Sequence, residues 1–507
     1  MKIQSIVSVI LVLQLILTAN SVRIFNIKDF GARPSQDISK VLERVWSEAV
    51  KSTKATQVLI PRGDWNLSQA ILSGPNKAPI NLEVRGHVRA YPDVAIIAEK
   101  EKGWIYVSSV DHLTISGGGI LDGQGSEAWE NNDCKTNATC EKPPLNMYLN
   151  AITNSIIRDV TTKDSKYFHV NCLSSRNVTF QRFTVSAPRD SPNTDGIHIA
   201  RSVRIRVTDS VIQTGDDCIS MGDDLRDVLI KNVACGPGHG ISIGSLGKYE
   251  GEKDVKGIRV EGCSFRNTTN GVRVKTFRSS PANTTVSDLH FIDLTMVNAA
   301  NPVIIDGNYC PNNQCASGLS GSVKISGVEI NNVIGTSSTQ NVITFNCSQV
   351  CKRVNIGTID LTYKGKKGSS ATTFCKNIKP NFTKFTKQNP PVCPSKSAIY
   401  LLSKALKQAW NEAIKSTKAT QVLIPRGDWD LSQALLSGPN KAPINLEVQG
   451  HLIAYPDPAK IPEKKMGWIG IEKVDYLTIS GGGILDGGDE KRARHAHHVK
   501  SPPSTCS

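Results

Sequence analysis

Four short polar motifs in the middle of the chain carry the residue types that acid and base catalysis needs. They are Asn193-Thr-Asp195, Gly215-Asp-Asp217, Gly238-His-Gly240 and Arg273-Val-Lys275. Paired carboxyl groups are what glycoside hydrolysis uses, since one protonates the leaving oxygen while the other activates water. Repulsion among the three aspartates would help to keep one of them protonated. The two cations alternate along a strand, so both can face the carboxylate of an acidic sugar.

Each motif alone also has an ordinary structural explanation. Asp216 and Asp217 could cap a turn, His239 could be a hydrogen-bonded turn histidine, and the cations could be solvated strand residues. Adjacent strand residues point to opposite faces, so both aspartates reach one cleft only if the backbone bends, which Gly215 permits. The common spacing of the motifs favours one functional cleft, because crowded carboxylates otherwise cost stability.

Two interleaved sets of short runs rich in Ile and Val predict the elements that position these motifs. The first set starts at residues 196, 218, 240, 271 and 302, at intervals of 22, 22, 31 and 31 residues. The second set covers 178–180, 204–207, 228–230, 258–260 and 289–291. Such a period predicts an all-β fold, a parallel β-helix, in which the polar motifs stack on one face. A β-sandwich is the alternative, but it would need hairpin turns at regular intervals. Residues 39–51 have helical spacing and predict a helix that caps the N-terminal end of the coil.

A near-identical duplication divides the chain. Residues 39–123 match residues 403–487 without a gap, and the second copy lacks all four polar motifs. We therefore predict a complete β-helical domain over 23–395, a repeated N-terminal fragment over 396–490 and a basic, His-rich tail over 491–507. The fragment is interpreted either as two adjacent genes read as one or as an extension that docks on the C-terminal end of the coil. The histidines of the tail could bind a metal, but such a tail is typical of disorder.

The N-terminus and the cysteines predict export. A basic start, an apolar run from about Ile6 to Leu17 and small residues after it are typical of a signal peptide over residues 1–22, whereas a membrane anchor needs a longer run. The chain has 13 cysteines, and the close pairs favour disulfides over a zinc site: Cys134/Cys140, Cys218/Cys235, Cys310/Cys315, Cys347/Cys351 and Cys375/Cys393. Seven sequons are candidate glycan acceptors: Asn66, Asn137, Asn177, Asn267, Asn283, Asn346 and Asn381.

The net charge of +15 favours a polyanionic partner. Nucleic acid is one such partner, but no compact basic run interleaved with aromatic residues is present. An acidic polysaccharide is the other, and a scattered, solvated excess of charge is the remaining explanation.

The four motifs, in this order and at these separations, resemble those of the polygalacturonases of glycoside hydrolase family 28, over roughly residues 23–395. The resemblance implies a right-handed parallel β-helix that hydrolyses galacturonan with inversion and without a metal or other cofactor. It implies that Asp217 is the general acid, that Asp195 and Asp216 hold and activate water, and that His239 tunes the acid and contacts substrate. Four further residues would bind galacturonate: Asn193, Arg273, Lys275 and Tyr309.

The run CGPGHGISIGSLGK and the form NTTNGVRVKT resemble the exo-acting plant branch of that family. The resemblance implies a secreted, monomeric enzyme of the cell wall that acts on pectin and has no membrane or nucleic-acid partner. Four alternatives stay open: an endo-acting polygalacturonase, a rhamnogalacturonan hydrolase, a calcium-dependent pectate lyase, and a non-catalytic β-helix that only binds pectin.

Overall fold

The computed structural model of the chain describes residues 22–133, 140–278, 280–310, 323–365, 370–382, 388–390, 392–393, 396–425, 428–431, 433–454 and 467–487. The predicted signal peptide, apart from Val22, and the predicted basic tail lie outside these residues. The chain divides into two compact units, Met1–Cys393 and Pro394–Ser507.

In the first unit, parallel strands form three ladders, and successive strands of each ladder belong to successive turns of one coil. Strands are numbered in chain order. The first ladder contains β1 (Arg23–Asn26), β2 (Thr56–Ile60), β5 (Ile80–Val84), β8 (Leu113–Ser116), β11 (Thr153–Arg158), β14 (Arg176–Gln181), β17 (Val203–Thr208), β20 (Leu225–Lys231), β23 (Val255–Glu261), β26 (Thr285–Ala299), β28 (Lys324–Ser337), β29 (Asn341–Ile356) and β32 (Asn381–Phe382). The second contains β3 (Asp64–Asn66), β6 (His87–Arg89), β9 (Ile120–Asp122), β12 (Thr161–Lys163), β15 (Thr184–Ser186), β18 (Val211–Gln213), β21 (Ala234–Cys235), β24 (Ser264–Arg266), β30 (Ile359–Tyr363), β33 (Gln388–Asn389) and the later halves of β26 and β28. The third contains β4 (Ala70–Ser73), β7 (Ile105–Ser108), β10 (Met147–Asn150), β13 (Val170–Leu173), β16 (Ile197–Ala200), β19 (Ile219–Met221), β22 (Ile241–Leu246), β25 (Asn270–Phe277), β27 (Asn301–Tyr309), the first half of β29, and β31 (Thr372–Ile378).

This arrangement confirms the predicted all-β parallel β-helix. The two predicted sets of runs are strands of the third and the first ladder, and their register matches the predicted spacing: Ile197 pairs with Ile219, and Ile219 with Ile241. In the first ladder, buried apolar side chains lie at one register position in successive turns: Ile115, Ile157, Phe180, Val207, Ile230, Val260, Phe291, Ile330 and Ile356. Each buried side chain of this kind contributes roughly 1.5–3 kcal/mol, so stacking of turns holds the coil together.

The turn from the first ladder to the second uses one residue with positive φ in every coil from β11 to β28: Asp159, Arg182, Asp209, Asn232, Gly262, Asp293 and Asn332. Asn, Asp and Gly tolerate this left-handed conformation best, which explains why they bound the predicted strands. The exception, Arg182, is held by two hydrogen bonds to the Asp159 carboxylate in the preceding coil (2.7 and 3.0 Å). The turn residues thereby set where each coil changes direction.

The predicted helix over 39–51 is present as α1 (Ser39–Lys51). Its buried residues, Leu42, Val45, Trp46 and Ala49, belong to the same core cluster as the strands of the first coil. The Trp46 indole nitrogen donates to the carbonyl of Ser73 (3.1 Å), at the end of β4. The helix therefore packs on the first coil, where its apolar face covers the stack. A second, short helix, α2, spans Ser126–Glu130.

The second unit repeats the start of the first. It contains α3 (Lys396–Ala413), β34 (Thr420–Ile424), β35 (Asp428–Leu431), β36 (Ala434–Ser437), β37 (Ile444–Val448), β38 (His451–Ala454), β39 (Ile469–Glu472), β40 (Leu477–Ser480) and β41 (Ile484–Asp486). The Trp410 indole donates to the carbonyl of Ser437 (3.2 Å), the same contact as that of Trp46. Among the described residues of this unit, β40 pairs with β37 and no further strand continues this ladder. Accordingly Ile479 is 41% exposed, whereas its counterpart Ile115 is 1% exposed.

Candidate active site

Three of the predicted site residues lie at equivalent positions of successive coils. Asp195, Asp217 and His239 each stand two residues before the paired residues Ile197, Ile219 and Ile241 of the third ladder. Backbone hydrogen bonds extend this register, since Gly196 N donates to the carbonyl of Asp217 (2.9 Å). Because neighbouring strands are about 4.8 Å apart, the Asp195 and Asp217 side chains occupy adjoining steps of one column.

Asp216 lies in the predicted bend, between β18 and β19. Gly215 is needed there because a side chain would not fit, and not because of its backbone conformation. Its φ is not positive, and a Cβ at this position would lie 2.0 Å from the carbonyl oxygen of Ser191. The bend rests on buried hydroxyl groups, since Gly215 N donates to Thr194 Oγ1 (3.1 Å), which lies 2.7 Å from Ser191 Oγ. Close packing beneath the bend therefore leaves no room for a side chain at position 215.

The Asp217 carboxylate is almost fully buried and accepts three hydrogen bonds. Oδ1 accepts from Ser242 Oγ (2.7 Å) and Arg273 Nη2 (3.2 Å), and Oδ2 accepts from Lys275 Nζ (2.9 Å). The side chain of Lys275 is itself only 10% exposed. Two cations and a hydroxyl therefore fix the position of this carboxyl group.

Asp216 pairs with His239, which lies in the next coil. The two side chains meet at Oδ1 and Nδ1 (3.0 Å), the same Oδ1 accepts from the backbone N–H of Asp217 (2.7 Å), and Asn193 Nδ2 lies 3.5 Å from Oδ2. The hydrogen bond to Asp216 raises the pKa of His239, against the effect of burial. Burial raises the pKa of Asp216, but the hydrogen bond and charge of His239 outweigh it and hold that pKa below its ordinary value. The pair therefore shares a proton that stays bound at pH values where a free histidine loses it.

The pKa of Asp195 is shifted in the opposite direction to that of Asp216. It lies well above the ordinary value, because of burial first and then of the negative charges of Asp216 and Asp217. A hydrogen bond with Ser220 offsets only part of this effect. Asp195 therefore keeps its proton to a higher pH than an ordinary aspartate does, beside the stacked carboxyl group of Asp217.

The remaining predicted residues also converge on this cleft. Arg273 and Lys275 lie on β25, and Tyr309 ends β27, the next strand of the ladder. Lys275 Nζ lies 5.6 Å from the centroid of the Tyr309 ring, which packs edge-on against Phe277. All eight predicted site residues are therefore brought together, and their chemical roles remain a proposal.

Three residues that contact the site residues were not predicted from the sequence. Ser242 and Ser220 hold Asp217 and Asp195, and Asn270 Nδ2 donates to the carbonyl of His239 (2.9 Å). Asn270 could have been predicted from the spacing. It follows His239 by 31 residues, the same interval that separates the runs starting at 240 and 271. Ser242 pairs with Arg273 in the register and could have been found in the same way.

One group of side chains in the cleft has the composition of a metal site. The ligand atoms of Asp216, Asp217 and His239 lie within 4.8 Å of one another. The donor set does not fit a cation, however, because Arg273 and Lys275 already neutralise Asp217 and would repel a metal ion. The two cations therefore argue against a metal ion at this cluster.

The disulfide between Cys218 and Cys235 fastens the residue after Asp217 to the strand that precedes His239. We expect the Cys218→Ser/Cys235→Ser variant to lose about 3 kcal/mol in free energy of unfolding, since the bridge closes a loop of 17 residues. The matched variant Cys347→Ser/Cys351→Ser, which opens a loop of four residues, should lose about 2 kcal/mol. Urea denaturation measures both, and a wild-type value for the first variant would show that the bridge does not stabilise the site region.

Three of the five predicted cysteine pairs are disulfides: Cys218–Cys235, Cys347–Cys351 and Cys375–Cys393. The other two predicted pairs each include a residue outside the described part of the chain. None of the described helices is both long and apolar enough to cross a membrane.

Comparison with known proteins decides the family. The family model for glycosyl hydrolases family 28 matches residues 50–387. The chain belongs to this family. A polygalacturonase of Nicotiana tabacum is 46% identical over 377 residues, covering 74% of this chain and 93% of the relative. An exopolygalacturonase of Oenothera organensis is 45% identical over 366 residues, covering 71% of this chain and 99% of the relative. The resemblance stated from the four motifs is thereby confirmed.

Two solved structures have a similar fold. The endo-xylogalacturonan hydrolase of Aspergillus tubingensis has a TM-score of 0.58 at 21% identity, covering 73% of this chain and 99% of its own. An exopolygalacturonase of Thermotoga maritima has a TM-score of 0.54 at 18% identity, covering 71% and 93%. At these identities the comparison supports the fold alone.

Proposed function

We propose that this family 28 chain is a secreted polygalacturonase of the plant cell wall type, which hydrolyses the α-1,4 bonds of polygalacturonate without a metal or other cofactor. One observation carries the proposal: Arg273 and Lys275 stand beside three clustered carboxyl groups in one cleft. The carboxyl groups supply acid and base, and the cations suit a uronate. The names of the relatives support the same substrate, and the disulfides support an extracellular location.

We propose roles for the aspartates that differ from those that the resemblance implied. Both oxygens of Asp217 already accept hydrogen bonds from two cations and a hydroxyl, and for this reason we propose another residue as the acid. We assign the acid role to Asp216, with His239 as its proton store. A bound uronate adds negative charge to the cleft and thereby favours transfer of the shared proton through Asp216 to the leaving oxygen. Asp195 and Asp217 then hold the attacking water between them, and Asp217 accepts its proton.

Water attack from the opposite side to the acid inverts the anomeric centre. The ligand atoms of Asp216 and Asp217 lie within 4.8 Å of each other, nearer to the roughly 5–5.5 Å typical of retaining enzymes than to the 6.5–9.5 Å of inverting ones. A retaining enzyme needs a free carboxylate nucleophile, however, and Asp217 is engaged by three donors. We therefore favour inversion, with the water held between Asp195 and Asp217, over a covalent intermediate.

Exo-action is the finer part of the proposal. Relatives of Oenothera organensis and Platanus acerifolia, 45% and 44% identical, are named exopolygalacturonases. We propose that this chain likewise releases single galacturonate residues, as a monomer with no nucleic-acid or membrane partner.

A reducing-end assay on polygalacturonate with a chelator present, with products resolved by size, tests the proposed function. Galacturonate alone from the first time point is the expected result. A spread of oligomers would make the enzyme endo-acting, an unsaturated product lost on chelation would make it a lyase, and tight binding without new ends would leave a pectin-binding protein.

The shared proton predicts a pH dependence. His239 is protonated below its pKa, and Asp216 raises that pKa above the ordinary value of 6.5, so the proton is lost only as pH rises through the raised value. In His239→Gln the carboxyl group of Asp216 must hold the proton alone. We therefore expect the alkaline limb of the kcat/KM profile to move to lower pH. His290→Gln, which removes a histidine that pairs with Glu329 (2.7 Å) on the first ladder, is the control and should leave the profile unchanged.

A further inference from the structure

The catalytic column continues by one coil toward the N-terminus with aromatic residues. Val170 pairs with Ile197, so Phe168 occupies the position of Asp195, and Tyr167 that of Thr194, in the preceding coil. The backbone N–H of His169 donates to the carbonyl of Asp195 (2.8 Å), which fixes this register. The Tyr167 and Phe168 rings stack with centroids 4.3 Å apart. The cleft therefore has an aromatic wall directly beside the carboxyl groups, on the side away from Arg273 and Lys275.

The Tyr167 side chain shares the electrostatic surroundings of the site. Burial raises the pKa of the Tyr167 phenol, and the charges of Asp195 and Asp216 add to this effect. The phenol therefore keeps its proton and can donate a hydrogen bond to an acceptor in the cleft.

An exposed cation lies over this wall. Lys142 Nζ is 5.9 Å from the centroid of the Tyr167 ring. The neighbouring carboxylate, Glu141, is engaged by Lys100 (2.9 Å), and no carboxylate among the described residues forms an ion pair with Lys142. Lys142 thus presents an ammonium group to the cleft without an anionic partner from the described part of the protein.

His198 lies close enough to both Lys142 and Lys275 to be affected by their charges. Its ring lies 5.3 Å from Phe168, and its Nδ1 is 2.8 Å from Ser220 Oγ, the hydroxyl that also bonds to Asp195. Burial lowers the pKa of His198 to about 4, and the positive charges of Lys275 and Lys142 both contribute. The imidazole is therefore neutral and lies in the field of both lysines, one toward each side of the carboxyl cluster.

A substrate that spans the cleaved bond brings two carboxylates to this cleft, one on each side. Arg273 and Lys275 account for one of them. We propose that Lys142 and Tyr167 form a second carboxylate-binding subsite, which recognises the galacturonate residue on the opposite side of the bond. The ammonium group supplies the charge and the phenol a hydrogen bond, while the stacked rings present an apolar face to the sugar. This subsite rests on the proposed function and adds a requirement that both residues flanking the bond be acidic.

Kinetics on trigalacturonate with the full chain test the subsite. Loss of one charge-assisted contact should raise KM about tenfold in Lys142→Gln, with kcat changed less than about twofold, and Lys142→Arg should recover most of the affinity. Tyr167→Phe should raise KM by a smaller factor. Lys28→Gln is the matched control, because Lys28 Nζ lies over the Trp65 ring at 5.8 Å on the N-terminal turn of the chain. Its KM should equal that of wild type.

Digalacturonates methylated on one residue locate the contact. Wild type should discriminate against a methyl ester on either residue, and Lys142→Gln should lose this discrimination for one of the two only. Equal KM values for Lys142→Gln and Lys28→Gln, or unchanged discrimination, would overturn the subsite. If wild type hydrolyses no galacturonan, the proposed function fails separately. Calorimetric titration of the same variants with trigalacturonate then decides whether Lys142 binds a uronate.

Discussion

Replacing Asp216 with Asn should lower kcat on polygalacturonate by about 10²–10⁴-fold, because it removes the group that passes the proton to the leaving oxygen. The substitution conserves volume and leaves the amide able to accept from the Asp217 N–H, which donates to Oδ1 at 2.7 Å in the native protein. The fold should therefore persist, as circular dichroism and urea denaturation would show. Initial rates of galacturonate release give kcat.

A substrate that needs no acid separates the roles of the three aspartates. On 4-nitrophenyl α-galacturonide, whose leaving group departs without protonation, Asp216→Asn should recover most of its lost rate. Asp217→Asn and Asp195→Asn should not recover, because activation of water is still required. Recovery by Asp217→Asn instead would return the acid role to that residue, as the family resemblance implied. Near-wild-type kcat for Asp216→Asn on polygalacturonate would remove Asp216 from catalysis.

Replacing Lys275 with Met should lower kcat/KM by about 30-fold or more, since truncating one partner of a buried, hydrogen-bonded charge pair at a binding site costs roughly 2–5 kcal/mol. Its ammonium group lies 2.9 Å from Asp217 Oδ2, and both side chains are buried. Loss of this cation misplaces the base and removes a uronate contact at the same time. Steady-state kinetics on trigalacturonate measure the effect.

Lys231→Met is the matched control, because Lys231 pairs with Glu261 at 3.9 Å and is 51% exposed. Surface pairs of this kind contribute about 1 kcal/mol or less, so both kinetics and stability should stay near wild type. Equal kinetics for the two variants would show that Lys275 has no part in binding or catalysis.

The first and third ladders could be predicted from the sequence and the second could not. Strands such as Val203–Thr208 are long enough for several apolar residues to repeat in every coil, whereas Thr184–Ser186 and Ala234–Cys235 contain one buried residue each. A pattern needs at least two such residues to show a period of two. The short strands are instead fixed by their neighbours in adjoining coils.

The site residues could be predicted because four motifs share the coil spacing, but their roles depend on contacts that no motif encodes. Asp216 and Asp217 are adjacent in sequence, yet the bend directs one to His239 and the other to Lys275. The motifs also contain no sign of Tyr167 and Lys142. Phe168 stands 27 residues before Asp195, outside the interval of 22, and a loop outside the ladders supplies Lys142.

The repeated fragment contains none of the four polar motifs, and its strands match those of the first three coils of the main unit. Mass spectrometry of the native protein would test whether the fragment is present in the mature protein. Its third coil leaves apolar side chains such as Leu485 exposed (36%), whereas the counterpart Leu121 is buried (3%). A fourth coil is what covers these residues in the main unit.

Proton NMR of the first product formed from trigalacturonate, recorded before mutarotation, tests the central claim most directly. Water delivered by Asp195 and Asp217 opposite the acid Asp216 predicts that the new reducing end appears as the β-anomer and converts slowly to the equilibrium mixture. Appearance of the α-anomer first would mean retention through a covalent intermediate, and an unsaturated sugar would mean elimination. Either result would contradict the proposed inverting hydrolysis.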